Sequence, residues 1–303
     1  MFGRSYMKEG KGVNKRDPNE KRIKIFFEVL FRKLWNLCKL NLLYVLTCIP
    51  TFLVMLIVSG LVSSRITDAS SDVLAQAMGL AAPDMANAGF ARYMVILDIA
   101  IRVVISFLVT VFWGMGPVTA GYTYIQRNYA REEHAWMLSD FFGQMKKNFG
   151  QAFMVLIADL VFFSVTSIAL IFYLQQAGAI RYMSYVMISI ILVYTLMHFY
   201  IYPCMVTFKL SLKDLFKNSL IFALLEGPKN LLIALVLLAI HIGIPYIAIA
   251  FAWPVLSWFV FIILELVILV ALSGFIVNFW VYPTIEKYII EAEKAANQAE
   301  ENI

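Results

Sequence analysis

Six runs of twenty or more residues pass through this chain with at most two charged side chains in any one of them. A helix needs about 20 apolar residues to cross a hydrocarbon core of about 30 Å. Lipid gives backbone groups no partner, so such runs must bond internally as helices, and none alternates with the period of 2 that a barrel strand would show. The runs are 37–62, 94–118, 151–174, 183–203, 231–251 and 255–282. Together they lift the hydrophobic share to 61% and leave only 15% charged, against about 45–50% and about 25% in soluble domains. A water-soluble fold could not hide that surplus, and disorder needs the opposite composition. The expected fold is an all-α polytopic transmembrane helix bundle. The links between runs three and four and between five and six are very short, so the six spans are expected as three antiparallel hairpins. Pro50 is expected to kink the first span. Gly114, Gly116 and Pro117 should end the second, and Gly243 and Pro245 should interrupt the fifth.

The distribution of Lys and Arg sets the orientation. Twenty lie before the first run, in 121–150, in 207–230 or in the tail, and three (Arg65, Arg92 and Arg181) lie on the other side. Both termini are therefore expected in the cytoplasm, with six spans between them. The chain divides into a basic N-terminus (1–36), a six-span membrane domain (37–282) and a cytoplasmic tail (283–303). About 36 polar and amphipathic residues precede a first run too long for a signal peptide, so that run is expected to stay as an uncleaved anchor. Cys38, Cys48 and Cys204 form no ligand or disulfide pattern and read as small packed hydrophobes.

A weak threefold pattern overlies the hairpins. Lys39-Leu40-Asn41, Lys147-Asn148 and Lys229-Asn230 open the odd spans, where Asn suits a helix N-cap and Lys the anionic leaflet. Aromatic clusters with Pro117, Pro203 and Pro283 close the even spans, as residues for the headgroup level and for ending a helix. Each hairpin follows an amphipathic segment, about 22–36, 136–149 and 207–225. In the first, Ile23, Phe26, Phe27, Leu30 and Leu34 share a face opposite Lys21, Lys24, Glu28 and Arg32. That segment reads as an in-plane helix lying on the bilayer, or alternatively as a docking helix. Duplication and convergent interface chemistry explain the pattern equally well. The outer segment 63–93 reads as a short surface helix or as nothing fixed.

Ionisable side chains inside spans are costly and so are functional candidates. They are Asp98 and Arg102 in the second span, Asp159 in the third and Glu265 in the sixth, with His198 in the fourth and His241 in the fifth. Asp98 and Arg102 stand four apart and can pair. Arg102 and Glu265 lie at similar depth, about 12–15 Å from the outer end, which suggests a bridge between helices. His241 precedes Gly243-Ile244-Pro245, where a helix could open its carbonyls. These residues read either as a polar site near the midplane or as locks between helices. The small number of charges favours locks over a proton relay. No Walker A, Rossmann, HExxH or GxSxG motif occurs, so neither an enzymatic activity nor a cofactor or metal is expected. The basic loops serve topology and imply no nucleic-acid partner.

The stretch Asn41-Leu42-Leu43-Tyr44-Val45-Leu46-Thr47-Cys48-Ile49-Pro50 resembles the first-span signature of the YesL-type bacterial membrane proteins, a family of unknown function. Gly116-Pro117-Val118-Thr119-Ala120-Gly121-Tyr122 resembles that family's Pro-x-Thr-x-Gly turn, and Asp140-Phe141-Phe142 through Lys147-Asn148-Phe149 resembles its Phe-Phe and Lys-x-Asn-Phe elements. The resemblance covers about residues 35–155. It implies no catalytic residue. It does imply an association with carbohydrate uptake, and hence a non-enzymatic accessory or regulatory factor that contacts sugar ABC transporter subunits. The alternative from the residues themselves is a small secondary transporter or channel.

Overall fold

The computed structural model describes residues 20–251 and 254–290. Among them the chain is helical with no strand. The helices are α1 (Arg22–Val58), α2 (Gly60–Ala69), α3 (Ser71–Ala77), α4 (Ala88–Phe112), α5 (Pro117–Ala130), α6 (Met137–Lys147), α7 (Phe149–Gln175), α8 (Met183–Thr207), α9 (Leu212–Leu225), α10 (Gly227–Leu238), α11 (Ile244–Phe251), α12 (Pro254–Leu264) and α13 (Val270–Ile285). Turns of π-helix at Ala239–Gly243 and Glu265–Leu269 join α10 to α11 and α12 to α13. Six stretches are long and apolar enough to cross a membrane: Arg22–Val58, Ala88–Phe112, Phe149–Gln175, Gly178–Thr207, Gly227–Ile247 and Phe259–Ile289. Their outer faces carry apolar side chains that water would not tolerate, such as Val95, Ile96, Ile99, Val103 and Val104 along α4. The chain is a multi-pass membrane protein, and the hairpins are α1–α4, α7–α8 and α10–α13.

The amphipathic segment 22–36 is not a separate in-plane helix. α1 runs unbroken from Arg22 through Pro50 to Val58, and its first turns pack on the end of α13, where Phe26 meets Phe275, Phe279 and Trp280. Val29 and Leu30 are buried with Phe26, whereas Ile23, Phe27 and Leu34 are exposed. Burial follows the stripe that faces α13, a choice that periodicity alone does not make. The outer segment forms two short helices, α2 and α3, and Ala75 of α3 shares a small core with Phe90 and Met94 of α4.

The aromatic clusters are also elsewhere than expected. Trp113, Phe199, Tyr200, Tyr202, Phe279 and Tyr282 are buried in the core, not ranged at the headgroup level. Only Pro117 sits at a helix boundary, in the first turn of α5. Pro203 and Pro283 lie inside α8 and α13. Among these helices lies α5, which sequence reasoning took for part of a basic loop. It packs against α1, α6, α7, α8 and α13, with Thr119, Ala120, Tyr122, Thr123, Ile125, Gln126 and Arg127 all buried. Gly121 makes the approach to α6 possible, since a Cβ there would stand 2.4 Å from the Phe141 carbonyl oxygen. Arg127 donates to the Val206 carbonyl and to Thr207 at the C-terminal end of α8, where a cation suits the helix dipole. Burial, with Arg131 adding to it, lowers the pKa of its guanidinium.

Candidate functional site

The fold gives each charged side chain of the apolar runs a partner within its own hairpin. In the first, Arg102 Nε donates to Asp98 Oδ2 at 2.6 Å, one helical turn away, and Ser63 of α2 donates to Asp98 Oδ1 at 2.7 Å. Gly60 makes room for the guanidinium, which lies where a Cβ would project. The expected bridge from Arg102 to Glu265 does not form. Arg102 is satisfied on its own helix, and Glu265 faces another partner.

In the second hairpin Asp159 of α7 accepts a hydrogen bond from the Tyr194 hydroxyl at 2.7 Å. His198 Nε2 lies 2.9 Å from the same carboxylate oxygen. Trp113 stacks on His198, with ring centroids 5.7 Å apart and planes 13° from parallel. Its indole N–H donates to Thr195 at 2.9 Å. Asp159 Oδ2 and both ring nitrogens of His198 are buried without a hydrogen-bond partner among the described residues, so the Nε2–Asp159 approach is close without hydrogen-bond geometry.

Of the three π turns among the described residues, two carry the chemistry of the third hairpin, and the remaining turn, Glu286–Ile290, follows α13. A π turn closes i→i+5 bonds, inserts a residue and rotates the side chains beyond it, and such turns gather at functional sites. Here one presents His241 and the other Glu265, each about ten residues from the hairpin turn, or about 15 Å deep. His241 Nδ1 is 2.7 Å from Glu265 Oε1, and Nε2 is 2.7 Å from the Ser273 hydroxyl. Glu265 Oε2 is buried without a partner among the described residues. Both nitrogens of this imidazole are therefore engaged, one able to donate and the other to accept in the neutral form.

Asn41 holds the second π turn in place. Its Nδ2 donates to the Glu265 and Leu266 carbonyls, both at 2.8 Å, and its Oδ1 accepts the Ala271 N–H at 2.6 Å. These are backbone groups that the widened turn strips of α-helical partners. None of the three asparagines makes the expected capping bond, although Asn148 stands at the N-cap position of α7. Asn41 lies within α1, and Asn148 and Asn230 make no N-terminal capping bond from their side chains. Instead Asn148 Nδ2 donates back to the Gln144 carbonyl at the end of α6. Asn230 Nδ2 donates to the Phe222 and Ala223 carbonyls near the end of α9, while its Oδ1 accepts from Tyr200. In the second and third hairpins the asparagine thus closes the helix before the span. α1 has no such preceding helix among the described residues, and Asn41 is free to reach across the bundle.

Between the second and third hairpins lies a cavity of about 60 Å³ at the break between α4 and α5, lined by Tyr44, Thr119, His198, Tyr202, Ser273 and Asn278 among others. The break is made by Gly114 and Gly116, both at positive φ, followed by Pro117. Thr119 Oγ1 accepts the Met115 N–H and bonds the Tyr44 hydroxyl, and the Tyr202 hydroxyl accepts the Gly116 N–H. Asn278 Oδ1 is buried and unpartnered among the described residues. Both His–carboxylate pairs reach this one cavity, His198 directly and His241 through Ser273. An apolar groove of about 230 Å³ lies behind Glu265, walled by Cys48, Phe52 and Phe107.

Sequence reasoning named Asp159, His198, His241 and Glu265 singly and missed the pairing. The signal was depth: Asp159 and His198 stand about equally far from the basic end of their hairpin, and His241 and Glu265 about equally far from the opposite turn. Ser273, Tyr194 and Asn278 carried no signal, because uncharged polar residues are ordinary in spans. Among the described residues no group of three or more His, Cys, Asp or Glu is placed to hold a metal ion. Comparison with protein-family models, with curated proteins and with solved structures finds no match to the chain. Fold and site together define a polytopic α-helical membrane protein with two buried His–carboxylate pairs beside one cavity at the end of α4.

Proposed function

We propose that this protein is a small secondary transporter or channel of the bacterial plasma membrane, non-enzymatic, with both termini in the cytoplasm. Its working centre is the cavity between the second and third hairpins. The observation that carries this reading is the convergence of His198–Asp159 and His241–Ser273–Glu265 on one cavity inside the bundle. Four such ionisable groups cost several kcal/mol to bury, which simple locking would not require. The bulged helices of the third hairpin supply the adjustable element that alternating access needs. Reconstituted in liposomes and offered a panel of small solutes, the protein should carry at least one, and Glu265→Gln and Asp159→Asn should each cut the rate tenfold or more. Flux equal to that of empty liposomes across the panel removes the reading.

A second reading is supported by the exposed Trp136, Leu138 and Phe142 at the start of α6, an apolar edge at the basic end of the bundle. In it the protein is an accessory factor that docks there on the subunits of a sugar ABC importer. Purification from native membranes in a mild detergent should then recover those subunits, and Trp136→Ala with Leu138→Ala should lose them.

A further inference from the structure

We propose that the cavity is a hydrated proton-exchange chamber in which the two His–carboxylate pairs titrate as one centre, so that the ion coupled to transport is the proton. This rests on the transporter reading for its use, though not for its existence. The wall of the chamber is largely apolar, but polar side chains enter it from both sides. Ser273 and Asn278 of α13 face it from one hairpin, His198 and Tyr202 of α8 from the other, and Tyr44 and Thr119 close it. About 10–15 Å³ of such space admits one water, so about 60 Å³ holds a short chain of them. The unpartnered Asn278 Oδ1 is a ready acceptor for one of these waters.

The groups around each imidazole favour a mobile proton. His241 meets Glu265, Ser273 and, from α4, the edge of Phe107. The α1 face beside Glu265 brings the neutral Tyr44 and Cys48. His198 meets Asp159 from α7, Trp113 from the end of α4, and Tyr194 and Tyr202 from its own helix. The charges of Asp98 and Arg102 are spent on each other in the first hairpin, and Arg127 is committed to the end of α8. Among the described residues, therefore, no fixed cation competes for either carboxylate.

The transfer balances as follows. Starting from an imidazolium at His241, the Nε2–H bond breaks and the proton passes to Ser273 Oγ. The Ser273 hydroxyl releases its own proton to a cavity water. That water hands a proton on to His198, where a new N–H bond forms. His241 is left neutral beside Glu265, and His198 becomes the imidazolium beside Asp159. One positive charge has crossed between hairpins, and each end state is an ion pair, so neither imidazolium is stranded in a low dielectric. Strongly interacting groups of this kind titrate with values that belong to the set.

Trp113 supplies the probe, since an imidazolium stacked on an indole quenches its fluorescence. In purified full-length protein, emission is followed from about pH 5 to about pH 9, the range in which histidine titrates, and the Trp113→Phe signal is subtracted. A quenching step is expected as pH falls, absent in His198→Gln. Glu265→Gln and His241→Gln should each move its midpoint by at least about half a pH unit, a threefold change in proton affinity. Asp98→Asn should leave it in place. In a Ser273→Val background, which walls His241 off from the chamber, Glu265→Gln should no longer move it. Two results overturn the proposal: a folded Glu265→Gln protein with the wild-type midpoint, or a midpoint that Glu265→Gln still moves in the Ser273→Val background. Failure of the flux panel with this coupling intact would remove transport while leaving the chamber.

Discussion

The acid pair of the first hairpin and that of the third lie in the same bundle yet differ in every respect that governs chemistry. Asp98 and Arg102 share a helix, keep 21% and 33% of their side chains exposed, and lie near the mouth of the outer segment. Glu265 and His241 come from two helices, each bulged by a π turn, and are 9% and 0% exposed. The first pair sets a guanidinium, which stays cationic, against a carboxylate on its own helix. The second joins two groups that can trade a proton, and the backbone is distorted to bring them together. Such distortion is found where the surroundings over-determine it, and here Asn41 does so with three hydrogen bonds.

The sharpest way to break the contrast is to remove that clasp. Asn41→Ala leaves two carbonyls and one N–H of the bulge without their partner, at about 1–3 kcal/mol for each group left unmet. A loss of about 3 kcal/mol is expected, seen as a large drop in melting temperature in detergent, with the Asp98–Arg102 pair untouched. Next comes Gly121→Ala. Its Cβ meets the Phe141 carbonyl, and backbone must shift, for about 2 kcal/mol. This variant loosens the basic end of the bundle and should leave the Trp113 titration where it was, separating general instability from loss of the site. The smallest effect belongs to the first hairpin. Asp98→Asn, in a partly exposed pair, should cost under about 1 kcal/mol in the same melting assay. A loss there as large as that of Asn41→Ala would erase the distinction between a fixed pair and a working one.

The span pattern was readable because apolar length is nearly all that a bilayer demands. Each of the six runs overlaps one of the six long apolar helices, though the first helix begins at Arg22 and the last runs on to Ile289, and Asp98 with Arg102 was readable because i, i+4 spacing is local. What failed were inferences that needed a neighbour. Trp113 and Tyr200 looked like interface anchors, yet Trp113 packs on Phe162, Tyr194 and His198, and Tyr200 on Phe222 and Asn230. The buried Gln126, Arg127 and Asn128 had disguised α5 as loop. Asn41 looked like a cap because the groups it satisfies lie more than two hundred residues away, in a π turn whose existence no local signal marked. The Glu265 partner was misassigned for the same reason: equal depth admits many pairs, and helix rotation selects one.

The central claim is that two His–carboxylate pairs in neighbouring hairpins share their protons through one cavity. Infrared difference spectroscopy across a pH step tests it most directly, by following the carboxyl stretch that Glu265→Gln abolishes. His198→Gln, in the other hairpin, should shift the pH at which that Glu265 band appears by at least about half a unit. A Glu265 band that titrates identically with and without His198 would contradict the account.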